Sequence, residues 1–309
     1  MDQQDWFAEQ PYAGIEQRYR VRARLHSQTT RWQSLEVVDL EGPGRSLILG
    51  GTLQTSVGEE FMYHEPLVHV PMFAHPNPHR VLIIGGGDGG ALRHALMHTS
   101  VGRALEVEID EAVVQASLRF LPEISDGAYL DARAELRIAD GAEFVANTDE
   151  RFDVILVDST DPVGPARALI GGEFLANARR ALAPGGIMAM QSGGPLAQPR
   201  EWLATVSAFK QAFSIVRPYL GWVPIYPGVV WSWVVGSDEL DAASIDDVTT
   251  NLRLEPMRSR LRLYNAAAHR AAFALPAFMH QLLQQAKDDW VPSQADLRAA
   301  GHPLPGVIA

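Results

Sequence analysis

The stretch 80–108 constrains the fold of this chain more than any other part of the sequence. An apolar run at 81–84 is followed by six residues, 85–90, of which five are glycine, then by a helix-like segment and a second apolar run that ends at Glu108. A β-branched run that stops at glycines is typical of a buried parallel strand, since both of its faces are covered. Glu108 follows the glycines by about 20 residues, the spacing at which a strand-end carboxylate holds the ribose hydroxyls of a nucleoside. The stretch therefore predicts a nucleoside-binding site.

One residue in this turn, Asp88, indicates the charge of the ligand. The glycines around it, including Gly85 and Gly87, allow a sharp turn and a close approach of backbone N–H groups to a ligand. A carboxylate among them would repel the phosphates of NAD or ATP and would attract a cationic group. We therefore expect an adenosyl compound that carries positive charge, such as a sulfonium.

The composition excludes several other classes of protein. The 309 residues carry a formal net charge of -11, which disfavours nucleic acid and anionic membranes as partners and suits a cationic small molecule. The chain has no cysteine, which rules out disulfides, thiol catalysis and zinc–thiolate sites. The ten histidines show no ligand-like spacing with acids, so no metal site is predicted. No apolar run reaches the ~18 residues of a membrane span and no basic signal region opens the chain, which predicts a cytoplasmic protein.

Hydrophobic periodicity predicts three parts. Strand patterns separated by turn signals indicate a small antiparallel β domain over 1–65, which closes with the start of a helix at 59–70. Alternating strands and helices over 66–290 predict an α/β catalytic domain, a doubly wound sheet that binds ligands at the carboxyl ends of its strands, followed by a Pro/Gly-rich tail at 291–309. The predicted elements are strands 19–25, 34–40, 45–49, 81–84, 104–108, 135–139, 153–157, 186–191, 212–217 and 229–235, and helices that include 111–120, 172–182 and 266–287.

Two further segments would bring acids to the same edge of the sheet. Asp140 and Gly141 follow the third parallel strand, where Asp140 would accept a hydrogen bond from an adenine amino group, cap the next helix, or do both. Asp158 and Asp161 follow the fourth strand and would face the tail of the nucleoside, although Asp161, which precedes a proline, would also suit a plain turn.

The surroundings of these acids would suit alkyl transfer from a sulfonium to an amine. Tyr63, Gln191 and Tyr226 would line a polar, aromatic-walled pocket, although each tyrosine would equally suit a core position with a satisfied hydroxyl. An alkyl amine with a pKa near ~10.4 is neutral in only about one part in 10³ at pH 7, which costs roughly 4–5 kcal/mol. A nearby sulfonium lowers that pKa and burial raises the pKa of a carboxylate, so one acid of a pair can accept the proton while the other holds charge.

Six ordered motifs resemble those of the polyamine aminopropyltransferases, most closely the spermidine synthase type, over about residues 5–285. They are EFMYHE at 60–65, LIIGGGDGG at 82–90, VEID at 107–110, DSTDPVGP at 158–165, IYPG at 225–228, and YN at 264–265 with HRAAF at 269–273. The resemblance implies an N-terminal β domain and a methyltransferase-like, Rossmann-type sheet. It implies transfer of the aminopropyl group of decarboxylated S-adenosylmethionine, a co-substrate and not a permanently bound cofactor, to putrescine, giving spermidine and 5'-methylthioadenosine.

The resemblance also implies roles for individual residues. Asp158 would take the proton of the amine and Asp161 would bind the amine. The amine side of the site would comprise Trp6, Tyr63, His64, Asp88, Asp161, Gln191 and Tyr226. The donor or its product would contact Gln33, Gly85, Gly87, Asp88, Glu108, Asp140, Gly141, Asp158 and Pro165. A homodimer or homotetramer is expected from the same resemblance.

Some positions depart from the pattern of the family and leave alternatives open. Gly50 and Gly51 stand where the family usually has an Asp-Gly turn, and Arg167 stands where an acid is common. Trp222 and the segment 231–233 also make the region around the IYPG motif bulkier than usual. The alternatives are an aminopropyltransferase for another amine, such as cadaverine, agmatine or spermidine, a methyltransferase that uses intact S-adenosylmethionine, and a non-catalytic nucleoside-binding module.

Overall fold

A computed structural model of the chain describes residues 5–12, 15–160, 164–226 and 228–285. The N-terminal part forms a five-stranded antiparallel sheet in sequence order. Its strands are β1 (Trp6–Tyr12), β2 (Ile15–Thr29), β3 (Ser34–Leu40), β4 (Gly44–Leu49) and β5 (Thr52–Ser56). Glycines at positive φ form the turn between β4 and β5, Gly50 at +58° and Gly51 at +82°.

The rest of the chain builds a seven-stranded sheet. Its strands are β6 (Arg80–Gly85), β7 (Arg103–Glu108), β8 (Ala134–Ile138), β9 (Phe152–Asp158), β10 (Leu182–Gly193), β11 (Ile215–Trp222) and β12 (Val230–Ser237). The order is β11-β12-β10-β9-β6-β7-β8. Strand β12 pairs antiparallel with both β11 and β10, and the other pairs are parallel. Successive strands move outward from β6 through β7 to β8, and the chain then returns to place β9 on the other side of β6. This reversal opens a crevice at the carboxyl ends of β6 and β9.

Helices cover both faces of this sheet. They are α1 (Glu60–Ala74), α2 (Gly90–Leu96), α3 (Glu111–Phe120), α4 (Pro122–Ser125), α5 (Gly141–Asn147), α6 (Gly172–Ala181), α7 (Pro199–Ala212), α8 (Asp247–Leu254), α9 (Ala266–Ala272) and α10 (Ala277–Gln285). In β6, Val81 and Ile83 pack into the core shared with α1 and α2, whereas Leu82 and Ile84 pack into the core shared with α6 and α7. Burial on both faces explains why the β6 run is apolar at every position.

The two sheets meet at α3. Leu35 and Leu47 of the N-terminal sheet share a small core with Val113 of α3 and Ile124 of α4. This packing brings the inward face of β4 toward the carboxyl end of β7. Among the described residues, no helix is both long and apolar enough to span a membrane.

The predicted fold class is confirmed, and the differences are two short strands that were not predicted, the bounds of some elements and one helix that is divided. Strands β1 and β5 were not predicted, and β10 begins at Leu182, before its predicted start at residue 186, with a shift of register between Leu182 and Ile187. The single helix predicted over 266–287 is wrong: α9 ends at Ala272 and α10 begins at Ala277, because Pro276 disfavours helical backbone at the residue before it. Helix α1 runs across the predicted boundary at residue 65, and the division into domains stays a prediction. The predicted tail at 291–309 lies outside the described residues.

Candidate active site

The crevice between β6 and β9 is a cleft that collects most of the predicted site residues. Its empty volume is about 1030 Å³, including the part that is open to solvent. The predicted residues that line it are Gln33, Tyr63, His64, Gly85, Gly87, Asp88, Glu108, Asp140, Gly141, Asp158 and Tyr226. They come from the N-terminal sheet, from α1 and from the carboxyl ends of successive strands, so the fold converges on this edge.

The glycine turn brings backbone close to the acids at the strand ends. Gly85 has φ of +79°, and a Cβ there would lie 2.2 Å from the backbone oxygen of Asp158. A Cβ on Gly86 would lie 3.0 Å from Oδ2 of the same residue. At Gly90, where no positive φ is needed, a Cβ would lie 2.2 Å from Cε1 of His64. The turn therefore needs glycine for contact as well as for conformation.

Glu108 ends β7 beside this turn and faces the cleft. Its Oε2 accepts from Gly87 N at 3.3 Å and its Oε1 accepts from Asp110 N at 2.8 Å. Burial raises the pKa of the Glu108 carboxyl to about 7, and the backbone donors oppose that rise. A carboxylate held by two backbone donors at a strand end is suited to accept hydrogen bonds from vicinal hydroxyls.

Asp140 caps α5, which is one of the two roles that the sequence analysis predicted for it. Its Oδ1 accepts from Ala142 N at 2.8 Å and from Glu143 N at 3.2 Å. The same residue lines the cleft, so the adenine contact is compatible with the cap and stays a prediction. Gly141 follows it in close contact with β6, because a Cβ there would lie 2.3 Å from Cγ2 of Ile84.

His64 lies between three carboxylates, two of which, those of Asp88 and Asp158, line the cleft. Its Nδ1 is 2.9 Å from Glu60 Oε2, and its Nε2 is 3.5 Å from Asp88 Oδ1 and 3.7 Å from Asp158 Oδ2. Burial lowers the pKa of His64, but the carboxylates of Asp88, Glu60 and Asp158 outweigh it and raise the pKa to about 9. His64 is therefore an imidazolium at neutral pH, and it partly neutralises the acids while the cleft holds no substrate.

Asp158 ends β9 with one carboxylate oxygen unsatisfied. Its Oδ2 is buried and has no hydrogen-bond partner. Burial raises the pKa of the Asp158 carboxyl to about 6, with Asp88 adding to the rise and His64 and the Tyr63 hydroxyl opposing it. Asp88 is more fully held, since its Oδ1 accepts from Gly90 N at 2.8 Å, and burial raises its pKa as well. Asp158 can therefore accept a proton or a hydrogen bond from a group that enters the cleft.

The same three side chains are placed closely enough to bind a cation. One ligand atom from each of His64, Asp88 and Asp158 lies within 4.8 Å of the other two. These residues stand on three separate elements, so no spacing in the sequence signals the cluster. A protonated imidazole has no free lone pair, and His64 in this state forms an ion-pair cluster with the acids. The expected lack of a metal stays a prediction.

Aromatic side chains form one wall beside the acids. The ring centroid of Tyr63 lies 5.9 Å from that of Tyr226 and 5.7 Å from that of Trp233, and Tyr226 lies 4.5 Å from Trp231. The Tyr226 hydroxyl donates to the backbone oxygen of Gln54 at 2.7 Å. Both tyrosines therefore line the cleft and also pack against core aromatic residues, so each has both of the positions that the sequence analysis offered for it.

Four predicted site residues are not placed in the cleft. The Gln191 side chain is buried and accepts from Gly193 N at 2.9 Å, and Trp6 lies on β1 under the guanidinium of Arg18. Neither is among the residues that line the cleft, and their roles stay predictions. Asp161 lies outside the described residues, and Pro165 is described only as backbone within a 3-10 helix, Gly164–Ile170.

The structure describes only some of the residues that depart from the pattern of the family. The side chain of Arg167, in the same 3-10 helix, lies outside the described part of the chain. Trp222 is exposed, whereas Trp231 and Trp233 are buried and leave the cleft wall tightly packed.

Sequence reasoning missed several residues of the cleft and of its support. Those that line it include Trp32, Leu47, Leu49, Gln54, Thr55, Val113 and Leu169. Leu47 and Leu49 alternate along β4, a signal of an inward face, but the pattern does not say what that face meets. Glu60 stands four residues before His64, and this i,i+4 spacing on a helix is the signal that would have found the pair.

Comparison with known proteins gives a consistent family. The spermine/spermidine synthase domain family matches residues 60–246. A polyamine aminopropyltransferase of Moorella thermoacetica is 40% identical over 284 residues, which cover 92% of this chain and 98% of that protein. One of Desulforudis audaxviator is 41% identical over 275 residues, covering 89% and 97%.

Solved structures agree with the sequence relatives. A spermidine synthase in complex with the transition state analogue AdoDATO has a TM-score of 0.87 at 35% identity, covering 92% of this chain and 96% of that one. The spermidine synthase of Thermotoga maritima has a TM-score of 0.84 at 34% identity, covering 92% and 95%. The chain therefore belongs to the spermine/spermidine synthase family of aminopropyltransferases.

Proposed function

We propose that this enzyme transfers the aminopropyl group of decarboxylated S-adenosylmethionine to putrescine, giving spermidine and 5'-methylthioadenosine. The observation that carries the proposal is the buried Oδ2 of Asp158, which has no hydrogen-bond partner, in an acidic cleft. A buried acceptor without a partner is costly, and a substrate that donates a hydrogen bond to it recovers that cost.

The charge of the cleft supports a cationic donor. Among the described residues that line it, four are acids and none is lysine or arginine. An intact S-adenosylmethionine would place its carboxylate near Asp88, where no lysine or arginine of the described lining could receive it and His64 is already held by three carboxylates, which disfavours a methyltransferase. Decarboxylation removes that carboxylate and leaves an ammonium that Asp88 can bind.

The donor's nucleoside has matching positions at the strand ends. Glu108 would accept from the ribose hydroxyls, Asp140 and Gly141 would meet the adenine, and Gly85, Gly87 and Gln33 would contact the same half of the molecule. Pro165 keeps its predicted donor contact. One relative is a spermidine synthase in complex with AdoDATO, a transition state analogue, which supports a donor of this kind in the shared fold.

The transfer step uses Asp158 as the proton acceptor. The lone pair of the acceptor nitrogen attacks the aminopropyl carbon that is bonded to sulfur, the C–S bond breaks toward sulfur, and methylthioadenosine leaves as a neutral thioether. The proton of the amine passes to Asp158. The pKa of Asp158, about 6, lies closer to the pKa of an amine beside a sulfonium than the pKa of an exposed aspartate would. The free-energy cost of the proton transfer is therefore smaller.

Putrescine is the proposed acceptor because the family resemblance implies it, and the rings of Tyr63 and Tyr226 beside Asp88 and Asp158 suit an alkyl diamine. Tyr63 and Tyr226 would pack against its methylenes, and His64, Asp88 and Asp161 would supply the polar contacts. Gln191 and Trp6 keep their predicted amine contacts. Assembly as a homodimer or homotetramer and a cytoplasmic location also stay predictions.

The test is to incubate the purified protein with decarboxylated S-adenosylmethionine and a panel of amines, and to follow methylthioadenosine by mass. Putrescine, cadaverine, agmatine and spermidine form the panel, and intact S-adenosylmethionine is the matched donor control. Release of methylthioadenosine with putrescine as the preferred acceptor supports the proposal. Preference for another amine overturns the acceptor and keeps the chemistry. No release with any amine, or methyl transfer from the intact donor, overturns the proposal.

A further inference from the structure

A second group of ionisable side chains lies behind the cleft, where α1 packs against α2. His69 Nε2 is 3.1 Å from His94 Nδ1, and His69 Nδ1 is 2.9 Å from His98 Nε2. All three side chains are buried, and together they form what we call the histidine chain. At its inner end, Arg93 Nη2 lies 2.9 Å from His94 Nε2.

Arg93 gives the histidine chain a single direction. A guanidinium has donors only, so Arg93 donates and His94 Nε2 accepts. A neutral imidazole has one donor and one acceptor nitrogen, so His94 donates from Nδ1 to His69, and His69 donates from Nδ1 to His98. Burial lowers the pKa of His94 to about 4 and of His98 to about 3, and places that of His69 well below its usual value. The three rings are therefore neutral at pH 7, each with its proton on Nδ1.

The same guanidinium nitrogen connects the chain to the cleft. Arg93 Nη2 also donates to Glu60 Oε1 at 2.7 Å, and its two hydrogens can serve Glu60 and His94 at once. The other oxygen, Glu60 Oε2, accepts from His64 Nδ1 at 2.9 Å. A continuous line of hydrogen bonds thus runs from His98 through Arg93 and Glu60 to the ring that separates Asp88 from Asp158.

We propose that Arg93 and the histidine chain are positioning residues, which hold Glu60 as a carboxylate against His64 so that this ring stays charged and oriented between Asp88 and Asp158. The inference rests on the proposed function for its catalytic consequence, but its structural content does not. None of these four side chains lines the cleft, so they act through Glu60 and His64. The charged and titratable groups that face His64 are Glu60, Tyr63, Asp88, His94 and Asp158.

The electrostatic consequence of this arrangement concerns Asp88. His64 and Arg93 both lower the pKa of the Asp88 carboxyl, against the burial that raises it. A donor ammonium binds the ionised carboxylate. Loss of Arg93 is therefore expected to move the acid limb of the pH profile of kcat/KM for the donor to higher pH. A merely structural defect would instead lower kcat/KM equally at every pH.

The first test reads the protonation states directly and uses no substrate. The full-length protein is labelled with 15N-histidine, and its imidazole nitrogens are recorded by NMR at pH 7.5, with assignments from single His→Gln variants. We expect His64 with both nitrogens protonated, and His94, His69 and His98 neutral with the proton on Nδ1. A neutral His64, or a proton on Nε2 of His94, overturns the inference whatever the enzyme turns over.

The second test measures the pH profile of kcat/KM for the donor in Arg93→Met, in Arg93→Lys and in the matched control Arg258→Gln. In Arg93→Met we expect a larger loss at pH 6.5 than at pH 8.5, with about tenfold as the upper limit for a rise of one unit in the pKa of Asp88. Arg93→Lys, which keeps the charge, should recover most of the activity at pH 6.5. The control alters an exposed arginine paired with Glu255 and should keep the profile of the natural chain. An equal loss at both pH values overturns the positioning role.

A further pair of variants covers the case in which Arg93→Met does not fold. His98→Gln keeps an acceptor near Nε2 for the His69 N–H, whereas His98→Leu removes it. Because Arg93 is kept in both variants, His94 and His69 should retain the proton on Nδ1 in each, whereas only leucine should move the acid limb of the pH profile to higher pH. A proton on Nε2 of His94 in either variant would contradict a direction set by Arg93, and an acid limb that leucine leaves unchanged would contradict the positioning role of the histidine chain.

Discussion

At the scale of single residues, Asp158 and His64 are suited to different roles in the acidic cleft, proton acceptance and charge stabilisation. Asp158 has a buried oxygen without a hydrogen-bond partner and a pKa of about 6, so it can gain a proton near neutral pH. His64 keeps its charge to a pKa of about 9 and is fixed by Glu60, so it stabilises the acids without giving up a proton. Two titratable groups in contact, whose environments separate their pKa values, are a common mark of acid–base chemistry.

Replacement of Asp158 by asparagine should remove the proton acceptor and leave the shape of the site. We expect kcat to fall by about 10²–10⁴, the usual contribution of general base catalysis. Binding of methylthioadenosine, measured by calorimetry, should stay within about threefold, because the proposed nucleoside contacts are those of Glu108 and Asp140. Asp149→Asn, on an exposed loop, is the control. An unchanged kcat would remove Asp158 from its assigned role.

At the scale of elements, the turn from β6 into α2 is where backbone and catalytic side chains meet. Gly90 lies directly against the His64 ring, and Gly86 lies against the Asp158 carboxylate. The glycine turn therefore shapes the acid cluster as well as any contact with the donor. The sequence predicted the second of these functions and not the first.

Gly90→Ala should test this contact without backbone strain. The added Cβ would lie 2.2 Å from His64 Cε1, so the ring must leave the position in which it contacts Glu60, Asp88 and Asp158. We expect destabilisation of about 1–3 kcal/mol, typical of an overfilled core, together with a loss of activity of more than about tenfold. The matched control is Gly172→Ala at the start of α6, where a Cβ meets nothing within 4 Å. Thermal unfolding and kcat are the measurements, and equal behaviour of the two variants would refute the contact.

At the scale of the whole molecule, the charged cluster makes stability depend on pH. The pKa of His64 rises from 6.5 to about 9 in the folded state, so its contribution is fully present below pH 6.5 and is lost as the pH rises through 9. Glu108 also has a raised pKa, from 4.5 to about 7, so its contribution is lost by pH 7. The lowered pKa values of His94 and His98 act in the opposite sense, at pH below 6.5.

The window from pH 7.5 to 9.5 contains the titration of His64, and comparison with His64→Gln separates it from buried acids such as Glu106, whose pKa burial also raises. We expect the Tm of the substrate-free protein to fall across this window, with His64 contributing at most about 1.4 kcal/mol per pH unit to the slope of the unfolding free energy. His64→Gln should flatten this slope, whatever its Tm at neutral pH. His26→Gln, which alters a histidine stacked on Phe120, should keep the slope of the natural chain. A slope that His64→Gln leaves unchanged would contradict the charge state assigned here.

Much of the architecture was readable along the chain because it depends on short-range physics. The run at 81–84 is apolar at every position since both faces of β6 are covered, and the glycines after it mark its end. Helix α3 at Glu111–Phe120 and strand β3 at Ser34–Leu40 match their predicted bounds, because periodicity and caps act within a few residues. Strand β5 was missed, since a five-residue strand carries too little pattern to separate it from a turn.

The sequence by itself determined the fold class, the family and the acids at the strand ends, because these follow from local patterns and ordered motifs. Tertiary structure alone decided which groups meet. His64 on α1 reaches Asp88 and Asp158, which come from two different strand ends, and its charge is set by those contacts and by Glu60. Arg93 and the histidine chain gain their direction only where α1 packs on α2. A pKa and a hydrogen-bond direction depend on distance and burial, and neither can be read from positions along a chain.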